Sequence, residues 1–122
     1  MLKNFLFVGL GAGIGGMLRY FFSSIIKHST FPYNTLLINI AGSLLIGILF
    51  GLSEKSNGIS EQVKLFVATG ICGGFTTFSA FSVENMQMIK DGDYATAAVY
   101  IFASVALCIV AVFAGFKIIN QF

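Results

Sequence analysis

Four long apolar stretches, separated by three short polar turns, make up almost the whole chain. The apolar stretches cover roughly residues 2–26, 34–53, 62–88 and 95–119, and the first turn contains the only proline. A helix needs about 20 apolar residues to cross a bilayer, and each stretch meets that length. The pattern predicts an all-α integral membrane protein with four transmembrane helices in a single domain, residues 1–122.

The third stretch is interrupted near its middle by glycines and hydroxyl residues. Adjacent Gly73 and Gly74 are poor helix formers, and the hydroxyls of Thr76 and Thr77 compete for backbone partners. The helical hydrogen bonds are therefore predicted to lapse between Gly73 and Thr77, which leaves two half-helices. Carbonyls without partners at membrane depth are tolerated only where they line a protein cavity or hold an ion.

The second and fourth stretches each carry a polar stripe at intervals of four residues. Residues four apart lie on one side of a helix, so each stripe is expected to face something other than lipid. An unpaired amide is costly at membrane depth, so Asn39 is expected either to join helices or to donate its N–H to an anion. The stripes consist of Thr35, Asn39, Ser43, Gly47 and Gly51, and of Thr96, Tyr100, Ser104 and Cys108.

Residues 11–16 (GAGIGG) match the G-x-G-x-x-G pattern of dinucleotide-binding proteins. No acidic residue follows about twenty positions later and the surroundings are apolar, so a nucleotide site is not expected. The same region spaces small residues four apart, as in Gly9 and Gly13 or Gly11 and Gly15. This spacing lets helix backbones approach closely in lipid.

Two charged residues lie inside apolar stretches. Arg19 precedes the end of the first stretch by about 10 Å, and Glu84 lies about 12 Å beyond the predicted break. Counting the crossings puts both near the same interface. Arg19 is therefore expected either to extend toward water or to act as a fixed positive charge that pairs with Glu84 or attracts an anion.

The composition excludes several functional classes. The chain is 57% hydrophobic and 10% charged, which rules out an ordinary soluble surface. Its seven basic residues form no run, so no nucleic-acid partner is expected. Both cysteines lie in apolar stretches, and no nucleophile–base pair or set of metal ligands is present, so the chain is not predicted to be an enzyme.

The basic residues are nearly balanced across the membrane. Asymmetry in Lys and Arg fixes the orientation of a membrane protein, so a balanced chain can insert in either sense. An antiparallel dimer of identical copies is then a reasonable expectation. One side carries Lys3, Lys55, Lys64 and Lys117, and the other carries Arg19, Lys27 and Lys90.

Three motifs occurring in order resemble the Fluc/CrcB fluoride channels: residues 15–20 (GGMLRY), 39–43 (NIAGS) and 70–82 (GICGGFTTFSAFS). The likeness covers the whole chain. It implies a passive, fluoride-selective channel that lowers cytoplasmic fluoride, built as an antiparallel, dual-topology homodimer with two pores and a central structural sodium ion. It also implies a multi-pass protein of the plasma membrane, the inner membrane of a bacterial cell.

The resemblance assigns roles to individual residues. It implies that Phe78 and Phe81 are the pore-lining aromatic pair and that Asn39 is the pore amide. It implies that Gly73 and Thr76 present backbone carbonyls to sodium, four of them across two antiparallel copies. The polar track of the pore is implied to consist of Tyr100, Ser104 and Cys108.

These residue types suit a small, strongly hydrated anion, whose water must be replaced by donors that are individually weak. The edge of a phenyl ring carries the positive part of its quadrupole, so Phe78 and Phe81 can contact an anion edge-on. Hydroxyls supply further donors. The expected hydroxyl donors are Thr77, Ser79, Ser82 and Ser104.

Two other functions remain open from the sequence. A small four-helix, dual-topology multidrug exporter has a similar length, but it is expected to carry a glutamate in its first span, where this chain has Arg19. Glu84 lies near an interface rather than at the midplane, where coupling sites occur. A scaffold subunit explains the spaced glycines but not the two polar stripes.

Overall fold

The computed structural model describes residues 1–27, 29–55 and 57–121, and every regular element within them is helical. Four helices are long and apolar enough to cross a membrane, which confirms the predicted membrane class. Their ends agree with the sequence prediction to within two residues: Leu2–Ile25, Tyr33–Glu54, Glu61–Lys90 and Tyr94–Asn120. The elements are α1 (Leu2–Ile25), α2 (Tyr33–Glu54), α3 (Glu61–Val63), a π-helix (Lys64–Cys72), α4 (Gly73–Phe75), α5 (Phe78–Lys90) and α6 (Tyr94–Asn120).

The third span, Glu61–Lys90, is broken as predicted. Thr76 and Thr77 are extended, with ψ angles of 156° and 122°, and they separate α4 from α5. Gly73 and Gly74 themselves stay helical, so the interruption falls at the threonine end of the predicted interval. The Thr77 hydroxyl accepts a hydrogen bond from the Ala80 N–H and thereby caps the new helix.

The first half of this span is wound as a π-helix over nine residues, Lys64–Cys72. The sequence pattern does not predict this winding, since π-helices are rare and have no simple sequence signal. Their hydrogen bonds join residues five apart, which widens the helix and shifts the side chains that follow. The widened segment leads directly into α4 and the break.

The first span packs backbone to backbone against the third. A Cβ on Gly15 would collide with the Ile71 carbonyl oxygen and lie 2.8 Å from the Phe75 nitrogen. One turn earlier on α1, a Cβ on Gly11 would collide with the Phe66 carbonyl oxygen and lie 2.9 Å from the Gly70 Cα. The contacts advance in the same direction along both spans, so the two spans run parallel and touch through their glycines.

The second and fourth spans form a similar pair. A Cβ on Gly47 would collide with the Val112 carbonyl oxygen, and one on Gly115 would collide with that of Leu44. A Cβ on Gly51, one turn after Gly47, would lie 2.9 Å from the Ile119 Cβ and 3.1 Å from the Phe116 carbonyl oxygen. From Gly47 to Gly51 the contacts therefore advance along α6 as well, so α2 and α6 run parallel. The glycines on α1 that the spacing pointed to are only partly used, because a Cβ added at Gly9, Gly13 or Gly16 would meet no atom within 4 Å.

The polar stripes face inward, as predicted. Thr35 on α2 is buried, and Tyr100 and Ser104 on α6 are buried as well. Tyr100 is the best-buried large side chain and lies in a small apolar cluster with Leu36 and Met88. The seam where the two helix pairs meet is therefore lined by polar groups over part of its length.

Substitution at Gly15 tests the close approach of α1 and the third span. Gly15→Ala should destabilise the protein by about 1–3 kcal/mol, since backbone lies where the new methyl group must go. Gly13→Ala on the same helix is the control, and it should be neutral or slightly stabilising because Ala favours helix by about 1 kcal/mol. Unfolding midpoints in detergent compare the two, and equal midpoints would contradict the packing.

Candidate functional site

A cavity of about 430 Å³, which we name the inner cavity, opens beside the break in the third span. It lies between α2, the third span and α6, where the two polar stripes meet. Its walls combine phenyl rings, hydroxyls, an amide and two thiols. The polar, aromatic and small residues that line it are Asn39, Gly42, Ser43, Cys72, Gly73, Thr76, Thr77, Phe78, Phe81, Ser104 and Cys108.

Asn39 holds the break together. Its Nδ2 donates to the Thr77 carbonyl at 3.1 Å, and its Oδ1 accepts from the Thr77 N–H at 2.9 Å. One side chain on α2 thus replaces both helical hydrogen bonds that Thr77 has lost. Of the two expectations for Asn39, the structure shows the link between helices directly. The second N–H of the amide remains for the inner cavity, which Asn39 also lines.

The same contact changes the bonding of the backbone before the break. In an unbroken helix the Thr77 N–H would bond the Gly73 carbonyl, but here it donates to Asn39 instead. The Thr76 N–H and hydroxyl both donate to the Cys72 carbonyl, at 3.0 Å and 2.8 Å. Gly73 is exposed and a Cβ added there would meet no atom within 4 Å, so this glycine lies at an open surface.

Three aromatic rings form a row from the inner cavity into the protein. The Phe78 and Phe81 ring centroids are 5.3 Å apart, and those of Phe81 and Tyr100 are 5.0 Å apart. Successive rings in the row are tilted relative to one another, with interplanar angles of 41° and 56°. Phe78 is 77% exposed, whereas Tyr100 is fully buried.

Glu84 is held by two hydroxyls from neighbouring helices. The Thr35 hydroxyl donates to its Oε1 at 2.5 Å, and the Tyr100 hydroxyl donates to its Oε2 at 2.8 Å. Both carboxylate oxygens are therefore bonded, and no ion pair joins Glu84 to Arg19 within the described residues. Thr35 belongs to the predicted stripe, but nothing in the sequence signals that it meets Glu84.

Glu84 also lines a second cavity of about 540 Å³, the outer cavity, at the end of the bundle. The outer cavity is more polar than the inner one and carries acidic groups. Phe81 and Glu84 lie one helical turn apart on α5, so the two cavities follow each other along that helix. The polar residues of the outer cavity are Ser29, Thr30, Asn34, Glu84, Gln87, Asp91 and Asp93.

Some predicted donors are bonded within their own helix and do not line either cavity. The Ser82 hydroxyl donates to the Phe78 carbonyl at 2.9 Å, and Ser79 shares a 3.1 Å hydrogen bond with the Thr77 hydroxyl. Both serines are exposed. Tyr100 likewise commits its hydroxyl to Glu84. The sequence does not reveal these local bonds, because the residue type alone does not show whether a serine hydroxyl already has a hydrogen-bond partner.

Ser104 behaves differently. Its hydroxyl is buried and has no hydrogen-bond partner among the described residues, and the residue lines the inner cavity. Cys108, one turn further along α6, lines the cavity too and is partly exposed. An unpartnered buried hydroxyl costs free energy unless water or a ligand reaches it. The inner cavity is therefore a place where a small polar species can be bound.

Residues 6–116 match the family model described as "CrcB-like protein, Camphor Resistance (CrcB)". Similar proteins carry the name "Fluoride-specific ion channel FluC". The one from Azobacteroides pseudotrichonymphae is 45% identical, over 100% of this chain and 99% of its own length. Those from Flavobacterium psychrophilum and Pyrococcus furiosus are 44% and 41% identical, over 98% of this chain and 99% and 98% of their own lengths.

Replacing Asn39 tests its role at the break. Asn39→Leu should leave the N–H and the carbonyl of Thr77 without partners, at a cost of about 1–3 kcal/mol for each group. Thermal unfolding in detergent measures the loss of stability, and amide hydrogen exchange at Thr77 should rise sharply.

The matched control is Asn34→Leu, in the first turn of the same helix. Asn34 lines the outer cavity but makes no side-chain hydrogen bond with the described residues, so this variant should stay close to the wild type. If both leucine variants lose the same stability, the two hydrogen bonds from Asn39 to Thr77 do not stabilise the break.

Proposed function

This chain belongs to the CrcB family, and we propose that it is a fluoride-selective channel that lets fluoride leave the cell passively through the inner and outer cavities. It is a multi-pass protein of the cell membrane, with four membrane-spanning helices. Passive flow suffices for export, because a potential of 100 mV, negative inside, drives a monovalent anion outward with about 2.3 kcal/mol.

The observation that carries the proposal is the lining of the inner cavity. It offers weak donors at membrane depth: the remaining N–H of Asn39, the unpartnered hydroxyl of Ser104 and the edges of Phe78 and Phe81. Neither cavity is lined by a Lys or Arg within the described residues. Many weak donors without a full positive charge allow an anion to shed water and still be released.

The proposed route follows α5 and α6. An ion in the outer cavity meets Glu84, passes Phe81 and reaches the inner cavity beside Ser104 and Cys108. Because hydroxyls bond both oxygens of Glu84, its negative charge is partly delocalised onto donors at this point of the route. Tyr100 then acts by holding Glu84, while Ser104 and Cys108 offer the polar contacts.

A proton-coupled exporter is less well supported. Such a protein couples transport to a carboxylate at the midplane that binds and releases protons. Glu84 is near the end of the bundle and fixed by two hydroxyls, and α1 contains no acidic residue. The names of the similar proteins also point to a channel rather than an exporter.

We further propose that the working unit is an antiparallel dimer of two copies. Phe78 is 77% exposed although it lines the inner cavity, so this copy alone does not enclose the conduit. The exposed Gly73 lies beside the same opening. A second copy related by a two-fold axis would cover both residues and complete two conduits.

Sodium fits this dimer as a structural ion. The break removes the helical partner of the Gly73 carbonyl, and Thr76 lies in extended conformation beside it. Backbone carbonyls are hard oxygen donors, which suit a dehydrated monovalent cation. Two antiparallel copies would bring the Gly73 and Thr76 carbonyls together in a set of four, where sodium would neutralise their repulsion. The ion's proposed role is to hold the interface.

The first test measures ion efflux from liposomes that contain the purified protein. Fluoride should leave rapidly once a potassium ionophore relieves the charge imbalance, and chloride should be retained. Phe81→Ile should slow fluoride efflux about tenfold or more, because an aliphatic side chain has no positive edge to offer an anion. Ion-selective electrodes for fluoride and chloride record both fluxes.

Phe102→Ile is the matched control, since Phe102 is 77% exposed on α6 and lines neither cavity. It should transport fluoride like the wild type. Release of organic cations in exchange for protons, or normal fluoride efflux from the Phe81 variant, would reject the proposed conduction route.

Two measurements test the dimer and its sodium: labelling of a cysteine at position 3 and the dimeric fraction in detergent. In a background lacking Cys72 and Cys108, Lys3→Cys should be labelled about half from each side of sealed vesicles by an impermeant maleimide, because both orientations are present. In detergent, the dimeric fraction should fall when sodium is replaced by a large organic cation. Labelling from one side only rejects dual insertion, and an unchanged dimer rejects the structural sodium.

A further inference from the structure

The inner cavity is lined by both cysteines of the chain as well as by the unpartnered hydroxyl of Ser104. Cys72 comes from the end of the π-helix and Cys108 from α6, so two separate helices direct thiols into one space. Neither thiol is in a disulfide. Ser104 is 8% exposed and its oxygen lacks a partner among the described residues, so a polar species that reached it would satisfy a buried hydroxyl.

The position of Cys108 limits what can reach it. It lies about 21 Å along α6 from Tyr94 and about 18 Å from Asn120, which is near the middle of the span. Reagents that require a free thiolate react slowly with a thiol in apolar surroundings. Soft metal species prefer sulfur over oxygen and nitrogen as a ligand, so they are the species best suited to bind such a thiol.

We propose that Cys108 is a binding site for small thiophilic metal species, and that a metal bound there closes the inner cavity to ions. Closure depends on the conduction route proposed above, whereas binding at Cys108 does not. Cys108 is partly exposed to the cavity, while Cys72 is only 2% exposed, so Cys108 is the thiol that an entering species meets. Ser104, one turn before it on the same helix, supplies a weak oxygen contact beside the metal.

Methylmercury chloride is a suitable probe because it is neutral, small and two-coordinate. The mercury–chloride bond breaks as a mercury–sulfur bond forms, the thiol proton leaves with chloride as acid, and no electron is transferred. A single cysteine completes the linear coordination of mercury, so the reaction needs only Cys108. The bound group then occupies space between Ser104, Val105 and the aromatic pair.

The experiment treats the protein in liposomes with methylmercury chloride and compares each variant with its own untreated fluoride efflux. Intact mass and peptide mapping identify the modified cysteine. The wild type should gain its first adduct at Cys108, lose fluoride efflux about tenfold or more, and recover it with excess dithiothreitol. Cys108→Ser should keep its own untreated rate, and Cys72→Ser should be blocked like the wild type.

Several results would overturn the proposal. A first adduct at Cys72, or block of the Cys108→Ser variant, places the site elsewhere. An adduct at Cys108 with unchanged efflux shows binding without closure. If the untreated wild type passes no fluoride, the proposed function and the closure both fail, and the adduct mass alone then supports or rejects the binding site.

Discussion

Every backbone polar group inside a membrane must find a partner in the protein, and this requirement governs the structure at Thr77. The third span loses its helical hydrogen bonds there, and Asn39 replaces two of them with a single side chain. This contact fixes the second span against the break and leaves the Gly73 carbonyl without its helical partner. The inner cavity lies beside this contact, and α5 begins immediately after it.

Glycine packing explains why a cavity can exist beside the break. Within each parallel pair the backbones touch directly, through Gly15 in one pair and Gly47 in the other. Close pairs leave their larger and polar side chains for the seam between the pairs, where Phe81, Tyr100 and Ser104 are found. Van der Waals contact drives helix association in lipid, so tight pairs and a looser seam can coexist stably.

The distribution of charge along the proposed route is uneven. Acidic groups line the outer cavity, whereas the inner cavity holds none within the described residues. Glu84 marks the boundary, and the hydroxyls of Thr35 and Tyr100 hold its carboxylate in place. Weak donors line the inner cavity, and the charged groups lie near the end of the bundle. This arrangement suits passage of a small anion rather than its tight binding, since strong local charges would trap it.

The sequence by itself determined the membrane class, the four spans, the inward stripes and the break near Thr77. These features follow from local composition: hydropathy sets the length of a span, and adjacent glycines and threonines weaken a helix wherever they stand. Only the tertiary structure decided the partners of Asn39 and Glu84, the free hydroxyl of Ser104 and the local bonds of Ser79 and Ser82. Those outcomes depend on which helix faces meet and at what height, and close glycine contacts together with the π-helical winding set that register in three dimensions.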